Sequence, residues 1–86
     1  MVVMNKLARS KAGHDKGKVY VVVSETETEL YLADGDLKKL AAPKKKNRRH
    51  AQVIYHLPEE ILSLLEKAEA DSDLIHVLRM YEKAVK

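Results

Sequence analysis

Cysteine, tryptophan and phenylalanine are absent from the 86-residue chain, and its only aromatic residues are four tyrosines. Without cysteine the chain can form no disulfide and offers no thiolate to a metal, so we expect a reducing, cytoplasmic setting. Because aromatic rings are so few, the core must be built mainly from aliphatic side chains. The length fits one domain, which excludes a multidomain enzyme.

Long apolar runs are also missing. No stretch approaches the ~20 apolar residues that a membrane-spanning helix needs. The opening tetrapeptide Met-Val-Val-Met is too short for the apolar core of a signal peptide. We therefore expect a soluble, untargeted protein with no membrane partner.

The sequence lacks the usual patterns of metal sites and catalytic centres. Its four histidines, at positions 14, 50, 56 and 76, contain no pair spaced four residues apart. Neither a phosphate-cradling glycine loop nor a nucleophile elbow is present. We expect no metal, no cofactor and no enzymatic activity.

Positive charge is concentrated in the first part of the chain. Residues 1–56 hold 12 Lys and Arg against 6 Asp and Glu, whereas residues 57–86 hold 4 against 7. A basic segment of this kind is where a polyanion such as nucleic acid would bind. The most biased stretch, residues 44–49, contains five cations and follows Pro43. Like charges and proline disfavour regular strand pairing, so we predict an exposed loop over residues 42–49.

Apolar and β-branched segments predict five short strands before residue 57. Asp34-Gly35 should form a two-residue type I′ turn between the third and fourth of them. Five strands spaced about ten residues apart favour a small closed barrel over an open sheet. We place the strands at residues 3–10, 18–23, 29–33, 36–40 and 50–55.

The hydrophobic period changes from two to 3.6 after Tyr55. Leu57, Ile61 and Leu65 fall on one face of a helix that Pro58 and the following glutamates begin. The Asp-Ser-Asp sequence at 71–73 predicts a break and a new helix N-cap. The fold class is therefore mainly β, with a barrel over residues 1–56 and an amphipathic helical tail over residues 57–86 in the same folding unit.

Residues 6–23 resemble the KOW motif, in which a strand, a basic glycine-containing loop and a second strand follow one another. Asp34-Gly35-Asp36-Leu37, the Pro-Lys-Lys-Lys-Asn sequence at 43–47 and His50 extend the resemblance. Together these segments resemble bacterial KOW-domain proteins related to the large-subunit ribosomal protein L-fourteen-e. The chain departs from this pattern at His14, where arginine is common, and at Ala51, where a larger apolar residue is usual. The resemblance implies an SH3-like five-stranded barrel that binds RNA through its two basic loops.

The candidate RNA-binding residues come from those two basic loops, which supply positive charges for phosphates. Gly13 can let a phosphate approach closely or can supply the positive φ of a tight turn. Asn47 can read a base edge or 2′-hydroxyl, or can close the turn with its side-chain amide. The full set is Lys11, Gly13, His14, Lys16, Lys18, Lys44, Lys45, Lys46, Asn47, Arg48, Arg49 and His50.

Two functions fit these observations. The first is a noncatalytic RNA-binding module that contacts ribosomal or other structured RNA through phosphate charge and shape. The alternative is a protein–protein interaction module that docks ribosomal or transcription proteins through the barrel and the helical tail. Their salt dependence distinguishes them, because binding to a polyanion weakens steeply as salt rises.

Overall fold

The structure is a computed structural model, and it describes residues 4–85. These residues form five strands, one short 3-10 helix and two α-helices. In chain order the elements are β1 (Leu7–Ser10), β2 (Val19–Glu25), β3 (Glu29–Ala33), β4 (Lys44–Asn47), a 3-10 helix (Arg48–His50), β5 (Ala51–Ile54), α1 (Glu59–Lys67) and α2 (Asp71–Ala84).

The five strands form one antiparallel sheet in the order β4-β3-β2-β1-β5. The sequence therefore predicted the number of strands and the helical end correctly. The sheet is not the closed barrel that we expected, because β4 and β5 form its two edges. The start of the predicted first strand, at Val3, and the end of the tail, at Lys86, lie outside the described residues.

The sheet must nevertheless be strongly curled. Its two edge strands are joined only by the three residues of the 3-10 helix, which rises about 2 Å per residue. The edges of a flat five-stranded sheet would lie about 19 Å apart at the usual strand spacing. The curl brings the end of β4 close to the start of β5 and gives the sheet a concave and a convex face.

Both faces of the sheet are buried. The concave face is filled by its own apolar side chains, among them Tyr20, Leu30 and Leu32. The convex face carries Leu7, Val21 and Ala33, which are cross-strand neighbours in the register of β1, β2 and β3. The apolar sides of both helices cover that face, so the tail packs on its own sheet.

The helices follow the predicted hydrophobic pattern closely. Ile61 and Leu65 of α1 and Leu74 and Tyr81 of α2 are buried against the sheet. The Asp73 carboxylate accepts hydrogen bonds from the backbone N–H groups of Glu69 and Ala70, which satisfies donors just before α2. A break between two helices is thus confirmed, but it lies at residues 68–70 and the cap position is Ala70, whereas the predicted Asp-Ser-Asp sequence at 71–73 already belongs to α2. Val85, which follows α2, is 53% exposed.

The predicted fourth strand at residues 36–40 is wrong. After β3 the Asp34 carboxylate accepts hydrogen bonds from the N–H groups of Asp36 and Lys38, which fold the chain into a compact turn. Asp34 has no positive φ, so the two-residue type I′ turn is wrong too. Gly35 does take φ +82°, and Leu40 N–H donates to the Asp71 carboxylate at 2.8 Å. These residues therefore join β3 to β4 in the chain and contact the start of α2.

The exposed loop predicted over residues 42–49 is also wrong, because Lys44–Asn47 forms β4 and Arg48–His50 forms the 3-10 helix. All four residues of β4 pair with residues of β3. Alternate side chains of the strand, Lys44 and Lys46, are partly buried, whereas Lys45 is exposed. A partner carboxylate makes this burial of lysine possible.

Candidate nucleic-acid interface

The two basic segments that the sequence separates by more than twenty residues lie side by side. The loop between β1 and β2, residues 11–18, touches the end of β4 and the 3-10 helix. Lys11 N–H donates to the His50 carbonyl at 2.8 Å, and Lys46 Nζ donates to the Ala12 carbonyl at 3.0 Å. The curl of the sheet therefore joins the two segments into one surface.

Two glycines allow the β1–β2 loop to turn tightly. Gly13 and Gly17 have φ values of +86° and +91°, where other residues are strained. Lys16 N–H donates to the Gly13 carbonyl, and Gly17 N–H donates to the Ser10 carbonyl at 2.8 Å. Of the two roles considered for Gly13, the conformational one is confirmed.

Asp15 holds the basic segments together. Its carboxylate accepts hydrogen bonds from Ser10 Oγ at 2.7 Å and Tyr20 Oη at 2.9 Å. It also pairs with Lys44 Nζ at 2.6 Å and Lys46 Nζ at 3.0 Å. The side chains of Asp15 and Lys46 are only 12% and 10% exposed. Two of the predicted RNA-binding lysines are thus partly buried in an internal ionic cluster.

The cluster shifts the titration of its members. Burial alone would raise the pKa of Asp15, but hydrogen bonds from Lys44, Ser10, Lys46 and Tyr20 hold that pKa far below its usual range. Burial, and then the hydrogen bond to Asp15, raises the pKa of Tyr20 above its usual value. Asp15 is therefore a carboxylate and Tyr20 a neutral phenol at physiological pH.

Three further predicted cations are paired around the edge of this surface. Lys18 Nζ lies 2.5 Å from the Asp34 carboxylate, and Lys45 Nζ lies 3.7 Å from that of Glu29. Arg48 pairs with Glu25, whose pKa is lowered by hydrogen bonds from Lys6 and Arg48. The Lys45 and Arg48 pairs are more exposed than the Asp15 carboxylate, so water and salt screen them, whereas the Asp34 side chain is only 7% exposed.

The remaining predicted side chains point to solvent. Asn47 accepts a hydrogen bond from Arg49 N–H at 2.9 Å. Its side-chain amide therefore closes the turn, which is one of the two roles predicted for it. Five other predicted residues are exposed and form no ion pair within residues 4–85. We call them the basic surface: Lys11, His14, Lys16, Arg49 and His50.

Sequence reasoning missed the acidic partners. Asp15, Glu25, Glu29 and Asp34 each neutralise cations that the sequence left available for RNA. Asp15 carries the one visible signal, since it is the only carboxylate in a loop that contains three lysines. Glu25 and Glu29 lie on β2 and β3 and Asp34 follows β3, so only the folded structure identifies these partners.

Within residues 4–85, no three His, Asp or Glu side chains are grouped closely enough to hold a metal ion. Neither helix in that range combines the length and the apolar composition needed to span a bilayer.

Comparison with known proteins gives no family assignment. No protein-family model matches the chain, and no curated protein is significantly similar to it.

Proposed function

We propose that the protein is a noncatalytic, cytoplasmic RNA-binding module that contacts ribosomal or other structured RNA through the basic surface. The adjacency of the two basic segments carries this proposal. Residues 11–18 and 44–50 together hold eight Lys and Arg side chains and one carboxylate, Asp15. A cationic surface of this kind binds phosphates by releasing their counterions.

The candidate residues take two roles within this proposal. The exposed cations Lys11, Lys16 and Arg49 contact phosphates, and the exposed histidines donate to phosphate or stack on bases. Lys44 and Lys46 support the loop through Asp15, because their ammonium groups are already occupied. A preorganised loop orders fewer side chains on binding, which favours affinity.

The SH3-like barrel and the KOW assignment belong to the same proposal. A basic, glycine-containing loop between β1 and β2 and a short 3-10 link between the curled edges support them. The proposed absence of catalysis is supported by Asp15, the one carboxylate of the two basic segments. Four side chains donate to it, which leaves it a poor general base.

The test compares two triple variants of equal charge loss by fluorescence anisotropy with a labelled hairpin of large-subunit ribosomal RNA. Replacing Lys11, Lys16 and Arg49 with Ala should weaken binding at least about tenfold at low salt, because each contributes to counterion release. The control replaces Lys38, Lys39 and Lys67, which are also exposed but lie elsewhere.

The control variant should bind within about twofold of the unsubstituted protein if location, and not only net charge, matters. Equal losses in both variants would contradict a localised interface. If the unsubstituted protein binds no RNA even at low salt, the RNA function is overturned and the protein interaction module takes its place.

A further inference from the structure

A groove of about 470 Å³ lies between α2 and the start of β2. Val19 lines it from the sheet, Ile75 and Leu78 line it from α2, and Val85 lines it from just beyond the end of α2. Its volume falls within the range of about 300–1,000 Å³ typical of small-molecule sites. The groove therefore has room for a group of the size of a nucleoside.

The charges around the groove balance. Its cations are Arg9, Lys18 and Arg79, and its carboxylates are Asp34, Asp36 and Glu82. Lys18 and Asp34 pair with each other, and an Arg9 guanidinium nitrogen donates to the Gly17 carbonyl at 3.0 Å. Such a site has an apolar floor and a rim of donors and acceptors without excess charge. It suits a neutral, flat group with polar edges better than a phosphate.

The groove and the basic surface share one loop. Gly17 and Lys18 end the β1–β2 loop and also line the groove. Lys16, a member of the basic surface, immediately precedes Gly17 in the chain. A strand whose phosphates lie on the basic surface can therefore direct a neighbouring base into the groove.

We infer that this groove receives an unpaired base of single-stranded RNA whose phosphates contact the basic surface. The inference rests on the proposed RNA-binding function and makes it more specific. Arg79 is exposed, forms no ion pair within the described residues, and lines the groove, so its guanidinium is placed to stack on the base or to hydrogen-bond its edge. Bases inside an RNA duplex are stacked and paired, so a duplex cannot supply this contact.

The experiment measures affinity for a single-stranded oligoribonucleotide and for the duplex made with its complement. Arg79→Glu changes a groove residue, and Lys83→Glu makes the same charge change on α2 outside the groove. Arg79→Glu should weaken single-strand binding by about tenfold, the size of one base-stacking contact. It should change duplex binding no more than Lys83→Glu does. Circular dichroism verifies that both variants are folded.

A second measurement uses a ligand without phosphate. Adenosine and uridine, titrated separately into the ¹⁵N-labelled protein, should shift the amide signals of Val19 and Ile75, and Arg79→Glu should reduce those shifts. RNA binding that Arg79→Glu and Lys83→Glu alter equally, with no nucleoside-dependent shifts in the groove, would overturn the base site and leave the RNA function standing. Absence of any RNA binding by the unsubstituted protein would overturn both.

Discussion

Among single residues, Asp15 most strongly determines which cations of the basic segments are exposed, because it pairs with Lys44 and Lys46. Ser10, Tyr20, Lys44 and Lys46 all donate to its carboxylate, and Tyr20 is itself buried in the concave core. The side chain of Asp15 thus links the β1–β2 loop, the edge strand β4 and the concave core. Its removal would leave two lysine charges in a poorly hydrated place.

Asp15→Asn should lower the free energy of unfolding at pH 7 by about 3 kcal/mol, because Lys46 would lose its countercharge in a nearly buried position. The pKa of Asp15 lies below its unfolded value of about 3.9, so the stabilisation is present above about pH 4. It is lost as the pH falls further, toward the folded pKa. Urea unfolding at neutral and acidic pH measures both effects.

The variant should therefore lose less stability than the unsubstituted protein between about pH 5 and pH 2. Glu25, Asp34 and Asp73 also have lowered pKa values, so some acid sensitivity will remain in the variant. An identical loss of stability in both proteins would show that Asp15 is not stabilised as described.

Neighbouring lysines of β4 should differ sharply in their effect on stability. Lys46 is 10% exposed and pairs with Asp15, whereas Lys45 is 59% exposed and lies 3.7 Å from Glu29. Lys46→Met should cost about 2 kcal/mol, the range for a hydrogen bond to a charged group. Lys45→Met should cost less than about 0.5 kcal/mol. Chemical denaturation tests this, and equal costs would contradict the burial assigned to alternate residues of β4.

At the scale of elements, the sequence predicts the helices and β3 well because their apolar spacing is set within each segment. It fails at β4 because the inward positions of that strand are lysines, whose burial depends on an aspartate in another loop. It fails at residues 36–40 for a related reason. Asp34 uses its carboxylate to fold the chain into a turn where the Asp-Gly pair predicted a hairpin. The sequence could not predict which cations of the site are paired, because their partner carboxylates lie in other segments of the chain.

The connection between β3 and β4 fixes the position of α2 through Gly35. A Cβ at this position would lie 2.1 Å from the backbone oxygen of Asp71, and the residue has φ +82°. Gly17, with φ +91°, has open space where its Cβ would be. Substitution at Gly17 therefore tests backbone strain alone, and substitution at Gly35 tests strain together with steric overlap.

Gly17→Ala should cost about 1–2 kcal/mol through strain alone. Gly35→Ala should cost clearly more, about 3 kcal/mol or above, because α2 must also move away from the turn. Thermal unfolding of the two variants makes the comparison. Equal destabilisation would mean that the turn does not press against the start of α2.

For the whole molecule, the fold assigns separate tasks to its two halves. The helical tail, which carries the excess negative charge, buries the convex face of the sheet, including Leu7, Val21 and Ala33. The unpaired cations lie instead on the loops at one end of the curled sheet. The excess negative charge of the sequence thus lies on the helices, and the exposed cations of the basic surface lie on the β1–β2 loop and the 3-10 helix.

We propose that the adjacent basic segments act as one phosphate-binding surface. The most direct test is the dependence of RNA affinity on salt, measured by anisotropy with the ribosomal RNA hairpin. The unsubstituted protein should lose affinity steeply as salt rises. Replacing Lys11, Lys16 and Arg49 with Ala should reduce the log–log slope by about 2 to 3, since each phosphate contact contributes about 0.7 to 0.9. An unchanged slope in that variant would contradict the claim.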